Sequence, residues 1–254
     1  MKKYILTAVL MTATVSALAQ SKPEPYFSFR ELPNMLKWCP APPDTAGAAF
    51  TYDIMQYMWG KEMRHNKERA DIAVRDAVYS LECIAQEFSE PFGLKISEDE
   101  TPEIWKLLRD AKATCENISG FPKFYYKRKR PFVRFQEPTA TPEFEPELRR
   151  NFSYPSGHTI LGWASALLLT EINPERADTI LARGMMYGES RVIVGAHWQS
   201  DVDAGRLAAA AAYARMHTSE RFLEQMRLAR QEFRVKTGLA TIIEMKAYRK
   251  SRSK

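Results

Sequence analysis

Beyond residue 47, apolar residues recur three or four positions apart along nearly the whole chain, and strict apolar/polar alternation is scarce. That spacing predicts helices over 48–65, 66–88, 101–118, 158–172, 174–190, 200–216 and 219–236, and so an all-α fold built as a single compact domain. Punctuation agrees: Pro102 suits a first helical turn after Thr101, Asn173-Pro174 divides two helices, and Thr218 or Ser219 can cap ERFLEQMRLARQEF. Two stretches lack the period. Residues 20–47, with Pro23, Pro25, Pro33, Pro40, Pro42 and Pro43, read as an irregular arm laid over the body, and 131–155 reads as a long loop. The apolar runs 159–169 and 207–214 fall short of the roughly 20 residues of a membrane span, so they read as buried helices and no integral membrane association is expected.

The two ends differ from the body. MKKYILTAVLMTATVSALA, residues 1–19, joins two lysines to a short apolar core and a small-residue Ala17-Leu18-Ala19 site, the pattern of a signal peptide cleaved after Ala19 for export to the periplasm. The expected organisation is therefore a signal at 1–19, a proline-rich arm at 20–47, a helical domain at 48–240 and a basic tail at 241–254, frayed from Lys246 onward. Loss of Lys2 and Lys3 lowers the formal charge of +6 by two, and the remaining mild excess favours small anionic substrates. Because the bases alternate with acids on helical faces, nucleic acid is not an expected partner. Of Cys39, Cys83 and Cys115, the expected disulfide pairs Cys83 with Cys115, since both lie in segments that could run as antiparallel helices. Their spacing fits neither a zinc site nor a redox pair, and no metal or other cofactor is expected.

One polar cluster stands out at the mouth of an apolar helix, in NFSYPSGHTILG at 151–162. Pro155 keeps Tyr154 out of helical geometry and itself suits a first turn, so Ser156-Gly157-His158 falls at a helix N-terminus. Free backbone N–H groups and the helix dipole attract an oxyanion there, although a serine at such a place also serves as a plain cap. Two more clusters share its chemistry: Lys123 with Arg130-Pro131 in KFYYKRKRP, and Ser190-Arg191 with His197 and Asp201 in SRVIVGAHWQSD.

Together these meet every fixed position of Lys-x6-Arg-Pro, Pro-Ser-Gly-His and Ser-Arg-x5-His-x3-Asp. The chain thus resembles the type 2 phosphatidic acid phosphatase (PAP2) and vanadium haloperoxidase superfamily. It is similar in particular to the class A bacterial non-specific acid phosphatases, through SYPSGHT, EINPERADTILARGMMYGESRV and HWQSDVDAGR. The resemblance spans most of 40–236 and implies a secreted, metal-independent hydrolase of phosphate monoesters such as nucleotides and aryl phosphates. It also implies a homo-oligomer, and transfer of the phosphoryl group to nucleosides or alcohols is open to the same chemistry. Vanadate-dependent haloperoxidases share the clusters, but the modest length and the class A likeness stand against that alternative. Membrane lipid phosphatases need several spans. A phosphate-binding module without catalysis would need neither His197 nor its carboxylate.

The implied roles have physical reasons. Lys123, Arg130 and Arg191 supply fixed positive charge for the phosphoryl oxygens, joined by Ser156 and the N–H groups of Gly157 and His158. Gly157 lets the backbone come close to phosphate. His197 is the expected nucleophile, with Asp201 one helical turn along to fix its tautomer. His158 is left to protonate the leaving oxygen and then to activate water; its ordinary pKa of about 6.5 suggests an acidic optimum. Lys127, Arg128 and Lys129 read as a solvated charge run, and His65 and His217 as structural. Phe152 stands where class A members carry glycine, and it is expected at the rim of a leaving-group pocket, favouring aryl or nucleoside esters.

Overall fold

A computed structural model describes residues 22–251 of the chain; the expected signal segment, 1–19, lies outside the described residues. Among the described residues there is no strand, and no helix is long and apolar enough to cross a membrane. The helices are α1 (Ala49–Met63), α2 (Lys67–Arg75), α3 (Leu81–Phe92), α4 (Pro102–Tyr126), α5 (Pro131–Phe135), α6 (Glu145–Leu148), α7 (Gly157–Ile172), α8 (Ala177–Ile193), α9 (Gln199–Met216), α10 (Glu220–Lys236) and α11 (Ile242–Ser251). The apolar helix α7 is the axis, with α3, α4, α8, α9 and α10 packed around it.

Small residues set how closely these helices approach. On α9, Ala204, Ala208, Ala209 and Ala212 are all buried in the main core, so the alanine-rich face serves packing within the chain. A methyl group at Gly162 on α7 would overlap the ring of Tyr187 on α8, and one at Gly184 would meet Ala166 at 2.6 Å. Close packing of this kind transmits position faithfully, because interiors have no slack to absorb a shift.

Several boundaries differ from the periodic reading. The stretch 66–88 is broken: α2 stops at Arg75, and Ser80 starts α3 by accepting the N–H of Cys83. The break at 76–80 brings the Ala77 carbonyl to 3.0 Å from His158 Nε2. Helix α4 continues past residue 118 through Pro122 to Tyr126, which carries Lys123 on a helix, and Lys127 closes it in the left-handed region at φ 47°. The 131–155 segment is less irregular than expected, holding α5, a 3-10 turn at Pro142–Phe144 and α6. Nor is the tail frayed from Lys246, since α11 runs to Ser251 and the Tyr248 hydroxyl donates to buried Glu232 at 2.8 Å.

The expected Cys83–Cys115 bridge is absent: all three cysteines are free thiols. Cys83 donates to the Arg75 carbonyl at the α2–α3 break, and Cys115 is enclosed in the core on α4. Helical placement alone did not bring their sulfurs together. Ahead of α1 the chain is fastened to the body by the Tyr26 N–H to Thr114 Oγ1, 2.8 Å, and by the edge of the Tyr26 ring against Phe222.

Candidate active site

The three clusters meet in one cavity of about 480 Å³, whose lining includes Lys123, Arg130, Gly157, His158, Arg191 and His197. Each arrives from a different element. Lys123 comes from the last turns of α4, Arg130 from the extended link to α5, Gly157 and His158 from the first turn of α7, and Arg191 from α8. After α8, Gly195 turns the chain back at φ 84°, a left-handed conformation open to glycine, and the His197 N–H reaches the Arg191 carbonyl at 3.2 Å.

The tautomer of His197 follows from its partners. Arg130 Nη1, which can only donate, lies 2.9 Å from Nε2, so Nε2 carries a lone pair. The proton then sits on Nδ1, shared between Asp201 Oδ2 at 3.3 Å and Ser153 Oγ at 3.4 Å. Asp201 does not lie one turn along a common helix, as the i+4 spacing suggested. His197 precedes α9, and Asp201 is the third residue of that helix, reaching back to accept the Trp198 N–H at 2.9 Å. A capping carboxylate held by the backbone is more rigid than a solvent-facing side-chain pair, and it aims the imidazole accordingly.

Two groups behind Asp201 were not legible as site residues. Ser153 donates a short hydrogen bond to Oδ2, and Arg128 donates to Oδ1 at 2.6 Å. Arg128 is not part of a solvated run. It is 8% exposed, and its other arm donates to buried Asp53 of α1 at 2.6 Å. Burial alternates along the extended link, with Lys127 and Lys129 outside and Arg128 and Arg130 inside. The period of two that marks extended chain was the available signal.

The cations lining the cavity share a charge pattern. Arg130 is braced by the carbonyls of Leu148, Phe152 and Ala196, and Lys123 by those of Phe152 and Pro155 at 2.9 and 2.7 Å. Arg191 is 1% exposed, and among the described residues its Nε and Nη1 have no hydrogen-bond partner. Burial, with Arg130 close by, pushes the Lys123 ammonium down to about 7. Burial likewise lowers Arg130 and Arg191 to about 10. Both histidines sit well below the ordinary range: burial is the main cause, followed by Arg191 for His158 and by Arg130 for His197. A phosphate dianion placed among these groups would reverse the electrostatic part of each shift.

His158 Nε2 lies 3.0 Å from the Ala77 carbonyl in the α2–α3 break, which fixes the proton on that nitrogen and turns Nδ1 away from it. Ser156 is buried as the cap of α7, its Oγ accepting the Thr159 N–H and hydroxyl at 3.3 and 2.9 Å, and it is not among the cavity-lining residues. Pro155 stays outside the helix, joined to Tyr154 by a cis bond. Phe152 does not rim the cavity either. Its ring lies edge-on to Phe124 at 6.0 Å, while its carbonyl is what grips Lys123 and Arg130. The aromatic rings in the lining belong to Tyr79 and Phe144.

A methyl added at Gly157 would meet no atom within 4 Å, and the residue lines the cavity. Gly157→Ala is therefore expected to keep its melting temperature within about 2 °C and to bind inorganic phosphate about tenfold more weakly, as read by calorimetry, because the methyl takes up space at the ligand.

A helical scaffold with three converging cations and a carboxylate-held histidine defines a class of phosphoryl-binding enzymes, and sequence comparison agrees. Residues 111–223 match the model of the PAP2 superfamily. Over 232 residues the chain is 39% identical to the non-specific acid phosphatase of Providencia stuartii, covering 91% of this chain and 93% of that one. Identity is 41% over 221 residues to the non-specific acid phosphatase of Salmonella typhimurium, covering 85% and 86%. It is 32% over 228 residues to an acid phosphatase of Zymomonas mobilis, covering 90% and 85%. The chain belongs to the non-specific acid phosphatases of the PAP2 superfamily.

Proposed function

We propose that this protein is an acid phosphatase, exported to the periplasm, that hydrolyses phosphate monoesters through a phosphohistidine at His197. The observation that carries the reading is Arg191, a buried guanidinium with Nε and Nη1 unpaired among the described residues, beside a histidine whose Nε2 lone pair is held for attack. A buried cation with unpaired donors is costly, and a phosphoryl group would supply their acceptors.

In the proposed sequence Lys123, Arg130 and Arg191, with the N–H groups of Gly157 and His158, hold the three non-bridging oxygens. His197 Nε2 attacks phosphorus as the bond to the leaving oxygen breaks, and protonated His158 gives that oxygen the proton on Nδ1. Water, losing a proton to His158, then attacks the phosphohistidine and releases phosphate and neutral His197. An alcohol or nucleoside in place of water would make the enzyme a phosphotransferase. The organisation into signal, arm and helical body, and assembly as a homo-oligomer, belong to the same proposal and are supported by the sequence pattern and the family.

Hydrolysis of p-nitrophenyl phosphate from pH 4 to 9 tests it. Activity on the acid side, unaffected by EDTA and blocked by vanadate, is expected; absence of hydrolysis throughout would overturn the reading.

The depressed bases give a second expectation. Between about pH 10.5 and 7 the unfolded chain keeps the Lys123 proton while the unliganded fold releases it. The fold's stability therefore declines as pH falls through that window. Bound phosphate supplies the missing negative charge, so its affinity and its stabilising effect should grow in the same direction. The rise in melting temperature caused by 10 mM phosphate, about that concentration being ample for a weak site, is expected to be larger at pH 6.5 than at pH 9. Lys123→Met should flatten the trend; an equal rise at both values in the unaltered protein would refute the assignment.

A further inference from the structure

In-line displacement puts the leaving oxygen on the far side of phosphorus from the attacking nitrogen, beside the group that protonates it. With His197 attacking and His158 as the acid, the body of the leaving group must lie against whatever surrounds the His158 ring. That surrounding is the α2–α3 break: the Ala77 carbonyl holds Nε2, and the ring of Tyr79 lies 4.8 Å away, tilted by 57°.

Tyr79 and Glu116 also line a second cavity, of about 430 Å³. The tyrosine is thus a wall shared by the two spaces. It is fastened from the outer side, where Lys112 Nζ sits 4.9 Å over its ring and bonds Glu116 at 2.6 Å. The outer cavity carries a second aromatic face, Trp105. Its lining balances Lys22, Arg109 and Lys112 against Glu82, Glu98 and Glu116, so it offers no net charge to a second phosphate. Aromatic faces and aliphatic stems with balanced charges suit a flat, uncharged group.

We propose that the Tyr79–Trp105 cavity is the leaving-group subsite, taking planar aromatic alcohols such as nucleosides and naphthols that pass over Tyr79 from the phosphoryl cradle. This deepens the acid phosphatase reading and rests on it. It moves aromatic selection away from Phe152, whose ring is spent on Phe124.

Two variants test it from opposite sides. Ala113 lines the outer cavity and not the catalytic one, so Ala113→Trp fills the subsite away from the reacting groups. Tyr79→Ala removes the shared wall. With 1-naphthyl phosphate, adenosine 5′-monophosphate and ethyl phosphate as substrates, either variant should lower kcat/KM for the first two about tenfold relative to ethyl phosphate, the scale of an aromatic contact. In Ala113→Trp, ethyl phosphate hydrolysis and inhibition by vanadate should stay within about twofold, which also certifies the fold. Equal losses on all three substrates, or unchanged ratios in both variants, would overturn the subsite. Failure of the unaltered protein to hydrolyse any of the three would instead strike at the phosphatase reading itself.

Discussion

His197→Ala is expected to lower kcat for p-nitrophenyl phosphate by about 10⁴-fold or more, the scale seen when a covalent nucleophile is removed. The neighbours of His197, and not its residue type alone, set this expectation. Nε2 is the unprotonated nitrogen because its neighbour, Arg130 Nη1, can only donate, and Nδ1 is turned to a carboxylate that would stabilise the cation formed if Nε2 took up phosphorus. Inorganic phosphate should still bind the variant, since Lys123, Arg130 and Arg191 reach the cavity from other elements. Rapid alkaline quenching with labelled substrate should give a phosphoprotein that is stable in alkali and lost on acid treatment in the unaltered chain, and none in the variant. His158→Ala should behave differently. With a leaving group as acidic as p-nitrophenol it should still form the phosphoprotein, and with ethyl phosphate it should not, because only the second needs a proton on departure. Retention of several per cent of kcat by His197→Ala, with the labelled protein still formed, would move the nucleophile elsewhere.

The parts of this site that could be read in the sequence are those carried by short, fixed spacings. Pro155-Ser156-Gly157-His158 gives a helix start whatever follows, and Ser190-Arg191 with His197 and Asp201 needs only one turn of chain between α8 and α9. What was illegible depends on distant chain. Asp53 on α1 lies 75 residues from Arg128 and 147 from Ser200, yet its two carboxylate oxygens bind both. Helical period also overrode a local break: 66–88 keeps its apolar spacing through Asp76–Ser80, but buried Asp76 accepts Ser190 Oγ at 2.6 Å and Arg183 Nη1 at 3.2 Å, ties that draw this point toward α8. Tertiary ion pairs of this kind leave no periodic trace. The cysteines teach the converse, because Cys83 and Cys115 satisfied a plausible helical placement and remained thiols.

Arg128→Met should destabilise the fold by about 3–5 kcal/mol, the cost of stranding a buried charge, which corresponds to roughly 10 °C in melting temperature for a domain of this size. Asp53 and Asp201 are both fully buried, and the guanidinium lies between them, donating one arm to each at 2.6 Å. Its removal would leave two carboxylates facing one another without the cation, while Ser200 Oγ and N–H could satisfy only Asp53. A surface member of a charge run would behave otherwise: Lys129→Met, one residue along and exposed, should change stability by less than about 0.5 kcal/mol. Asp53→Asn in the Arg128→Met background should recover part of the loss, because it removes one of the stranded charges, and the double-mutant cycle would then report their coupling directly. The same substitution has a catalytic signature. Freed of Arg128, Asp201 bears its full charge on His197, which favours the protonated imidazole and withdraws the Nε2 lone pair. The acid limb of the pH–rate profile should therefore move upward, toward neutral pH, in whatever fraction of the variant remains folded. A loss below about 1 kcal/mol together with an unmoved acid limb would return Arg128 to the solvated run and detach it from the nucleophile.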